Sequence, residues 1–202
     1  NPFKKIITVS SDKSISIRCV LLSSIALGRS KIFNLLDSED VLNSIKAIKN
    51  LGVKCVKKKN YLEVHGVGIN GFKFNNNLTI NAGNSGTLAR CVVGLCSATS
   101  KKIKLIGDQS LSKRDFKRVT DPLGRFGAKF KLKNNKNLPL NLVGSNKLKP
   151  IKYLEKKGSA QCKSSIIFGG MRTDGTTIIK AKKSRNHTEI LCKYLKLPIK
   201  VT

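Results

Sequence analysis

The residues best suited to chemistry in this chain are small polar and basic ones, set at the starts of apolar runs. Lys13, Ser14 and Arg18 open the first run. Ser14 and Arg18 are four residues apart, so on a helix they share a face. Asn84-Ser85-Gly86-Thr87 opens a second run, and Ser159-Ala160-Gln161 a third. A helix N-terminus offers free N–H groups and about half a positive charge, which suits phosphate or carboxylate. Gly86 has no Cβ and lets a ligand approach the backbone closely. Arg114 is predicted in the first turn of a helix starting at Ser112. There the dipole disfavours a cation, so an anionic partner is the better reason for it. Each start taken singly is an ordinary helix cap. Three starts of the same kind, rich in hydroxyls, amides and cations, predict one shared anion site.

The elements that must carry these residues recur. The three starts lie 71 and 75 residues apart, at Lys13, Asn84 and Ser159. A strand-like run follows each, at 31–35, 102–106 and 176–180, and then a second helix signal at Ser38, Ser112 and Ser184. In the first copy Ile15, Cys19, Leu22 and Ala26 keep helical spacing behind an Asp12 cap, and Gly28 stops the helix. Val41, Ile45 and Ile48 form the stripe of the second helix. Strands at 53–56 and 61–64 flank a Lys59-Asn60 turn. In the second copy Phe116, Val119, Leu123 and Phe126 form the stripe, and strands at 128–132 and 138–142 flank Asn134-Asn135. Pro139 predicts an edge strand. In the third copy Pro198 breaks the second helix, 199–201 reads as the next strand, and the returning strand is missing. A repeat of this length is a whole supersecondary unit. The fold class expected is α/β (α+β): three βαβαββ units, helices packed inside and sheets outside, the third unit truncated. Residues 1–10 read as a strand without a partner in this scheme; 11–202 form the three-unit domain.

Composition narrows the class. No apolar stretch reaches the length of a membrane span, and the chain reads as a soluble cytoplasmic protein. The six cysteines form no Cys-x-x-Cys pair and only two histidines exist, so no metal site is expected. Cys19, Cys91, Cys162 and Cys192 fall in helical apolar patterns, as buried thiols do. The net charge is +29, and lysine outnumbers arginine 32 to 8. Three causes fit this excess: AT-rich coding, a small anionic substrate and nucleic acid. Aromatic residues make up only 5% and none interleave the lysine runs, which ranks nucleic acid last.

The motifs Asp12-Lys13-Ser14-Ile15-Ser16-x-Arg18, Gly83-Asn84-Ser85-Gly86-Thr87-x-x-Arg90, Gly107-Asp108-x-Ser110-Leu111-x-x-Arg114, Ser159-Ala160-Gln161-x-Lys163-Ser164 and Ser184-Arg185-Asn186-His187-Thr188-Glu189 occur in order. In this the chain resembles the EPSP synthase (3-phosphoshikimate 1-carboxyvinyltransferase) family, and specifically its N-terminal half. The resemblance implies two hinged domains, with the first strand belonging to the other one. It implies an enolpyruvyl transfer from phosphoenolpyruvate to the 5-hydroxyl of shikimate 3-phosphate, in the shikimate pathway to chorismate and the aromatic amino acids. The reaction needs no cofactor. The full-length protein would be a monomer binding small anions, with neither nucleic acid nor membrane as partner.

Carried over by position, Lys13 would be the catalytic residue and touch both substrates. Ser14, Arg18, Ser159, Ala160, Ser184 and Arg185 would hold shikimate 3-phosphate. Asn84, Gly86 and Arg114 would frame phosphoenolpyruvate, and Gln161 would reach both. Gly86 matches the family form that accommodates the inhibitor glyphosate. The family's acid–base Asp and Glu would lie in the other half, so this piece alone is expected to show no turnover. The chain departs from the family at Ser10-Ser11, at Ile17 (His in the family) and at Asp115, which is placed to pair with Arg114 and weaken it. The rival readings are UDP-N-acetylglucosamine 1-carboxyvinyltransferase, whose motif has Lys-Asn in place of Lys13-Ser14, and a basic RNA-binding module.

Overall fold

Asp12 opens the first helix of the described residues. Its Oδ1 accepts from the Ile15 N–H at 2.7 Å and caps α1 (Lys13–Ser24). The structure is a computed structural model that describes residues 10–202. The strand expected over 1–10 lies outside the described residues, except Ser10, which is exposed and in no regular element. The chain is a mixed α/β structure. After α1 come β1 (Leu27–Phe33), α2 (Glu39–Asn50) and the hairpin β2 (Lys54–Lys57)–β3 (Tyr61–Val67). These strands form an antiparallel sheet in the order β1-β3-β2.

The second sheet combines β4 (Leu78–Asn81), β5 (Lys102–Ile106), β6 (Lys129–Lys133) and β7 (Asn137–Val143) in the order β4-β5-β7-β6. β4 and β5 are parallel, joined through α3 (Gly86–Cys96); α4 (Gln109–Ser112) and α5 (Lys117–Arg125) lie between β5 and β6. A parallel pair requires such a crossover, because a tight turn cannot reverse direction twice. A third, two-stranded sheet pairs β8 (Lys152–Glu155) in parallel with β9 (Ile178–Ala181) across α6 (Ala160–Gly170), and α7 (His187–Tyr194) follows.

The core is continuous across α1, α3, α5, α6 and the inner faces of the sheets, with Phe116, Phe126 and Phe168 among its largest buried side chains. A single apolar stripe describes α2, which buries Val41, Ser44, Ala47 and Ile48. It does not describe α3, where every residue but Arg90 is buried. α3 is enclosed on all sides, so its sequence loses the amphipathic contrast of a surface helix. α3 and α6 pack so closely that a Cβ on Gly94 would stand 2.1 Å from the Ser165 carbonyl oxygen. Only glycine allows that approach.

Several local expectations are corrected. Ser112 does not open the second helix of the middle region: it ends α4, which Asp108 caps, and α5 starts at Lys117. The Asp108 carboxylate outcompetes the Ser112 hydroxyl as a cap, accepting from Leu111 N–H at 2.6 Å. α7 starts at His187, not Ser184. It ends at Tyr194, before Pro198, where Lys196 takes φ 54°. No strand forms over 199–201; the Ile199 N–H turns back to the Leu197 carbonyl at 2.7 Å instead of joining a sheet. Pro139 is not on an edge strand: β7 lies between β5 and β6. Pro139 is tolerated because it sits at the register shift against β6 and beyond the last residue that pairs with β5. Strands β4 and β8, one before each of α3 and α6, were not marked by the sequence patterns.

Candidate anion site at the helix N-termini

Gly86 is the first residue of α3 and is buried, with Ser85 as N-cap accepting from Leu88 N–H. An ideal Cβ placed there would stand 2.8 Å from the Nη1 atoms of both Arg90 and Arg114, and 3.6 Å from Gln161 Oε1. The backbone of α3 thus opens onto two guanidinium groups and an amide from three different elements. Arg90 Nη1 donates to Gln161 Oε1 at 2.8 Å and to the Gly86 carbonyl at 3.3 Å. Gln161 Nε2 donates to Thr87 Oγ1 at 3.0 Å. The Arg90 guanidinium also lies over the Phe116 ring, 5.1 Å from its centroid.

Electrostatics mark this corner. Among the described residues no carboxylate forms an ion pair with Arg18, Arg90 or Arg114. Burial pushes the Arg90 guanidinium below its ordinary pKa, and the like charges of Arg114 and Arg118 push the same way. Cations gathered at helix N-termini without acidic partners are unfavourable unless an anion joins them. Arg114 is not in a helical first turn, as had been expected, but in the link between α4 and α5. Nor does Asp115 pair with it: Asp115 Oδ1 accepts from Lys117 N–H at 2.8 Å, at the start of α5. Arg114 is therefore exposed and free to meet an anion.

Asn84, just before the Ser85 cap, is fixed by donating Nδ2 to Asp108 Oδ2 at 2.6 Å. Asp108 is held below the usual carboxylate range, first by the Leu111 N–H and then by Asn84. On α6, Ser159 is the N-cap, accepting from Cys162 N–H at 3.3 Å, and its own N–H donates to Glu155 Oε2 at 2.9 Å. Ala160 opens the helix, so its N–H is among the free ones.

Arg18 forms a second junction. It is 2% exposed and links α1, α6 and α7: Nε to Thr188 Oγ1 at 2.7 Å, Nη2 to Ser164 Oγ at 2.9 Å, Nη1 to the Ser14 carbonyl at 2.9 Å. All three acceptors are neutral, so the buried charge is uncompensated. The two junctions are neighbours along α6, where Gln161 of one and Ser164 of the other lie one turn apart.

Lys13, Ser184 and Arg185 stand apart from these contacts. Lys13 is half-exposed and paired with Asp40 at 3.0 Å. Arg185 is exposed, before α7. Ser184 has a buried hydroxyl without a partner. Thr87, Arg90, Ser164 and Thr188 stand in the family motifs but carry no site role in the sequence analysis. For Arg90 a second signal was present: a single cation inside the apolar run Leu88–Cys96. Ile17 is wholly buried in the core, which accounts for its apolar character.

The sequence pattern of the EPSP synthase (3-phosphoshikimate 1-carboxyvinyltransferase) family matches residues 1–202. The chain belongs to the EPSP synthase family. It is 40% identical over 187 residues to the 3-phosphoshikimate 1-carboxyvinyltransferase of Streptococcus mutans, covering 92% of this chain and 44% of that protein. With the same enzyme of Streptococcus suis it is 40% identical over 188 residues, with the same coverage. The structure of EPSP synthase from Acinetobacter baumannii superposes with a TM-score of 0.91 at 33% identity, over 97% of this chain and 44% of that one. The chain thus spans less than half the length of these relatives. In this EPSP synthase family member Arg114 and Gln161 meet at Gly86, and Arg18 meets the Ser14 carbonyl, among the residues that the motifs singled out. No helix among the described residues is long and apolar enough to cross a membrane.

Proposed function

We propose that this chain is the substrate-holding portion of a 3-phosphoshikimate 1-carboxyvinyltransferase. The observation that carries the reading is the meeting of Gly86, Arg90, Arg114 and Gln161 without a carboxylate among them. Phosphoenolpyruvate brings a carboxylate and a phosphate, and planar guanidinium groups match both in bidentate fashion. Arg18, Ser14, Ser159, Ala160 and Gln161 hold shikimate 3-phosphate, with Ser184 and Arg185 beside them. Asn84, Gly86 and Arg114 frame phosphoenolpyruvate. Lys13 bridges the two once it leaves Asp40, a step its half-exposed side chain permits.

In the reaction the 5-hydroxyl oxygen adds to C2 of phosphoenolpyruvate while C3 gains a proton and the hydroxyl loses one. The tetrahedral product then loses phosphate from C2 and a proton from C3, restoring the double bond. Positive charge fixed in advance at the helix N-termini stabilises the anions throughout.

The three sheets support an architecture of three copies of one unit. The middle region runs β4-α3-β5-α4-α5-β6-β7. Residues 13–67 follow the same order without the leading strand, and 152–194 follow it without the closing hairpin. The proposed domains are 1–10, joined to another domain, and 11–202. The full-length protein acts in the cytoplasm as a monomer, without nucleic acid.

Titration calorimetry of the full-length protein with shikimate 3-phosphate tests the reading. Saturable binding that Arg18→Ala or Gln161→Ala abolishes is the expected result. RNA binding with a steep salt slope, and no shikimate 3-phosphate binding, would replace it with the basic-module reading.

A further inference from the structure

Every residue of α3 except Arg90 is buried, and the Arg90 side chain leaves the helix to meet α6. It is held at three points: the Gly86 carbonyl, the Gln161 amide and the Phe116 ring. The Gln161 amide is itself held at both ends, Oε1 by Arg90 and Nε2 by Thr87. These two contacts are not equivalent. The Thr87 hydroxyl can donate or accept, so it would satisfy either end of the amide. A guanidinium has five donors and no acceptor, so only an amide oxygen can face it.

We infer that Arg90 is a positioning residue that fixes the orientation of the Gln161 amide, so that Gln161 offers an N–H rather than a carbonyl oxygen to the bound anion. The inference rests on the enolpyruvyl-transfer reading for the identity of that anion. Gln161 Nε2 carries two hydrogens, and Thr87 takes one. The second is the donor left for a ligand, on the Thr87 side of the amide; the amide atom nearest a Cβ on Gly86 is Oε1, at 3.6 Å, and Arg90 occupies it. Turned over, the same side chain would present oxygen lone pairs to a phosphate or carboxylate, exchanging attraction for repulsion. The burial and like-charge neighbours of Arg90 reinforce this role. Its contacts are made in a poorly solvated corner, where water competes weakly for the amide.

The test is a double-mutant cycle in the full-length protein, read as the KM for phosphoenolpyruvate and kcat. R90M keeps the stem over Phe116 and removes the donors. It should raise KM about 10- to 100-fold, the cost of one hydrogen bond to a charged group, while Tm changes little. R90K keeps a donor-only head and should recover much of that loss, a difference a packing role would not produce. T87V should cost less than R90M. In a Q161A background R90M should add less than about twofold, because the amide it orients is gone. Additive losses, or R90M equal to wild type, would overturn the inference.

A second readout does not need turnover. In wild type the Gln161 side-chain N–H protons should exchange slowly with solvent by NMR, and R90M should speed that exchange. Fast exchange in wild type also sinks the inference. Absence of enolpyruvyl transfer with slow Gln161 signals would instead count against the functional reading alone.

Discussion

At the far end of the α3–α6 pair, Arg172 donates to the carbonyls of Leu95 at 3.3 Å and Ala98 at 3.5 Å, and to Asn70 Oδ1 at 2.9 Å. At the near end, Arg90 and Arg114 crowd around Gly86. Both ends hold cations that burial pushes below their ordinary pKa, and neither Arg90 nor Arg172 has a carboxylate partner among the described residues. The helix decides what each does. Arg172 sits where α3 ends and its carbonyls carry negative partial charge, so its terminal nitrogens satisfy those carbonyls, while its Nε stays buried without a partner among the described residues. Arg90 and Arg114 sit where the N–H groups already carry positive partial charge. Arg90 donates to the Gly86 carbonyl and Gln161, while Arg114 is exposed and makes no ion pair among the described residues. Under the proposed function an anion completes the bonding of this corner.

Three experiments sharpen or break that contrast, and two smaller ones follow. The largest effect is expected where both ends depend on close helix packing. Gly94→Val places side-chain atoms into the Ser165 backbone and should lower stability by about 1–3 kcal/mol or more, measured by urea unfolding. Next, Gly86→Ala in the full-length protein should raise the KM for phosphoenolpyruvate at least about tenfold with little change in Tm, because its Cβ would displace both guanidinium groups. Arg172→Met should do the reverse. It should cost about 1–3 kcal/mol of stability and leave that KM unchanged. An Arg172→Met enzyme with normal stability and a raised KM would break the comparison.

The smallest effects concern the caps and the thiols. The folded Asp108 pKa is depressed, so its capping contribution is present above about pH 4 and is lost as pH falls through the lowered folded value. Asp108→Ala should therefore lower Tm at pH 7, and by calorimetry at each pH that effect should shrink as pH falls below about 4. The Cys91 and Cys96 thiols, pushed by burial to about 11 and about 12, should resist iodoacetamide at pH 8 until the protein is unfolded.

Part of the candidate site was legible along the chain. Gly86, Arg114 and Gln161 were singled out from residue type, repeat position and family motif, and the structure brings them together. Asp12, Ser85 and Ser159 are caps, as a polar residue before an apolar run predicts. The errors fell where several polar residues compete to start a helix. Near Ser112 the choice went to Asp108, and near Ser184 the helix waited until His187. A local pattern cannot rank such competitors, because the winner depends on what the backbone reaches in space.

What the sequence by itself determined is the set of apolar runs, the polar starts before them and the excess of cations. These depend on neighbours within a few residues, or on the family motifs. Tertiary structure alone decided that Pro139 tolerates an interior strand, that α3 is enclosed on every side, and that Asp115 spares Arg114. It also decided that Arg90 crosses 71 residues of chain to the Gln161 amide and Arg18 crosses 170 to Thr188. Contacts at such separations form only after the helices pack, and no spacing along the chain encodes them.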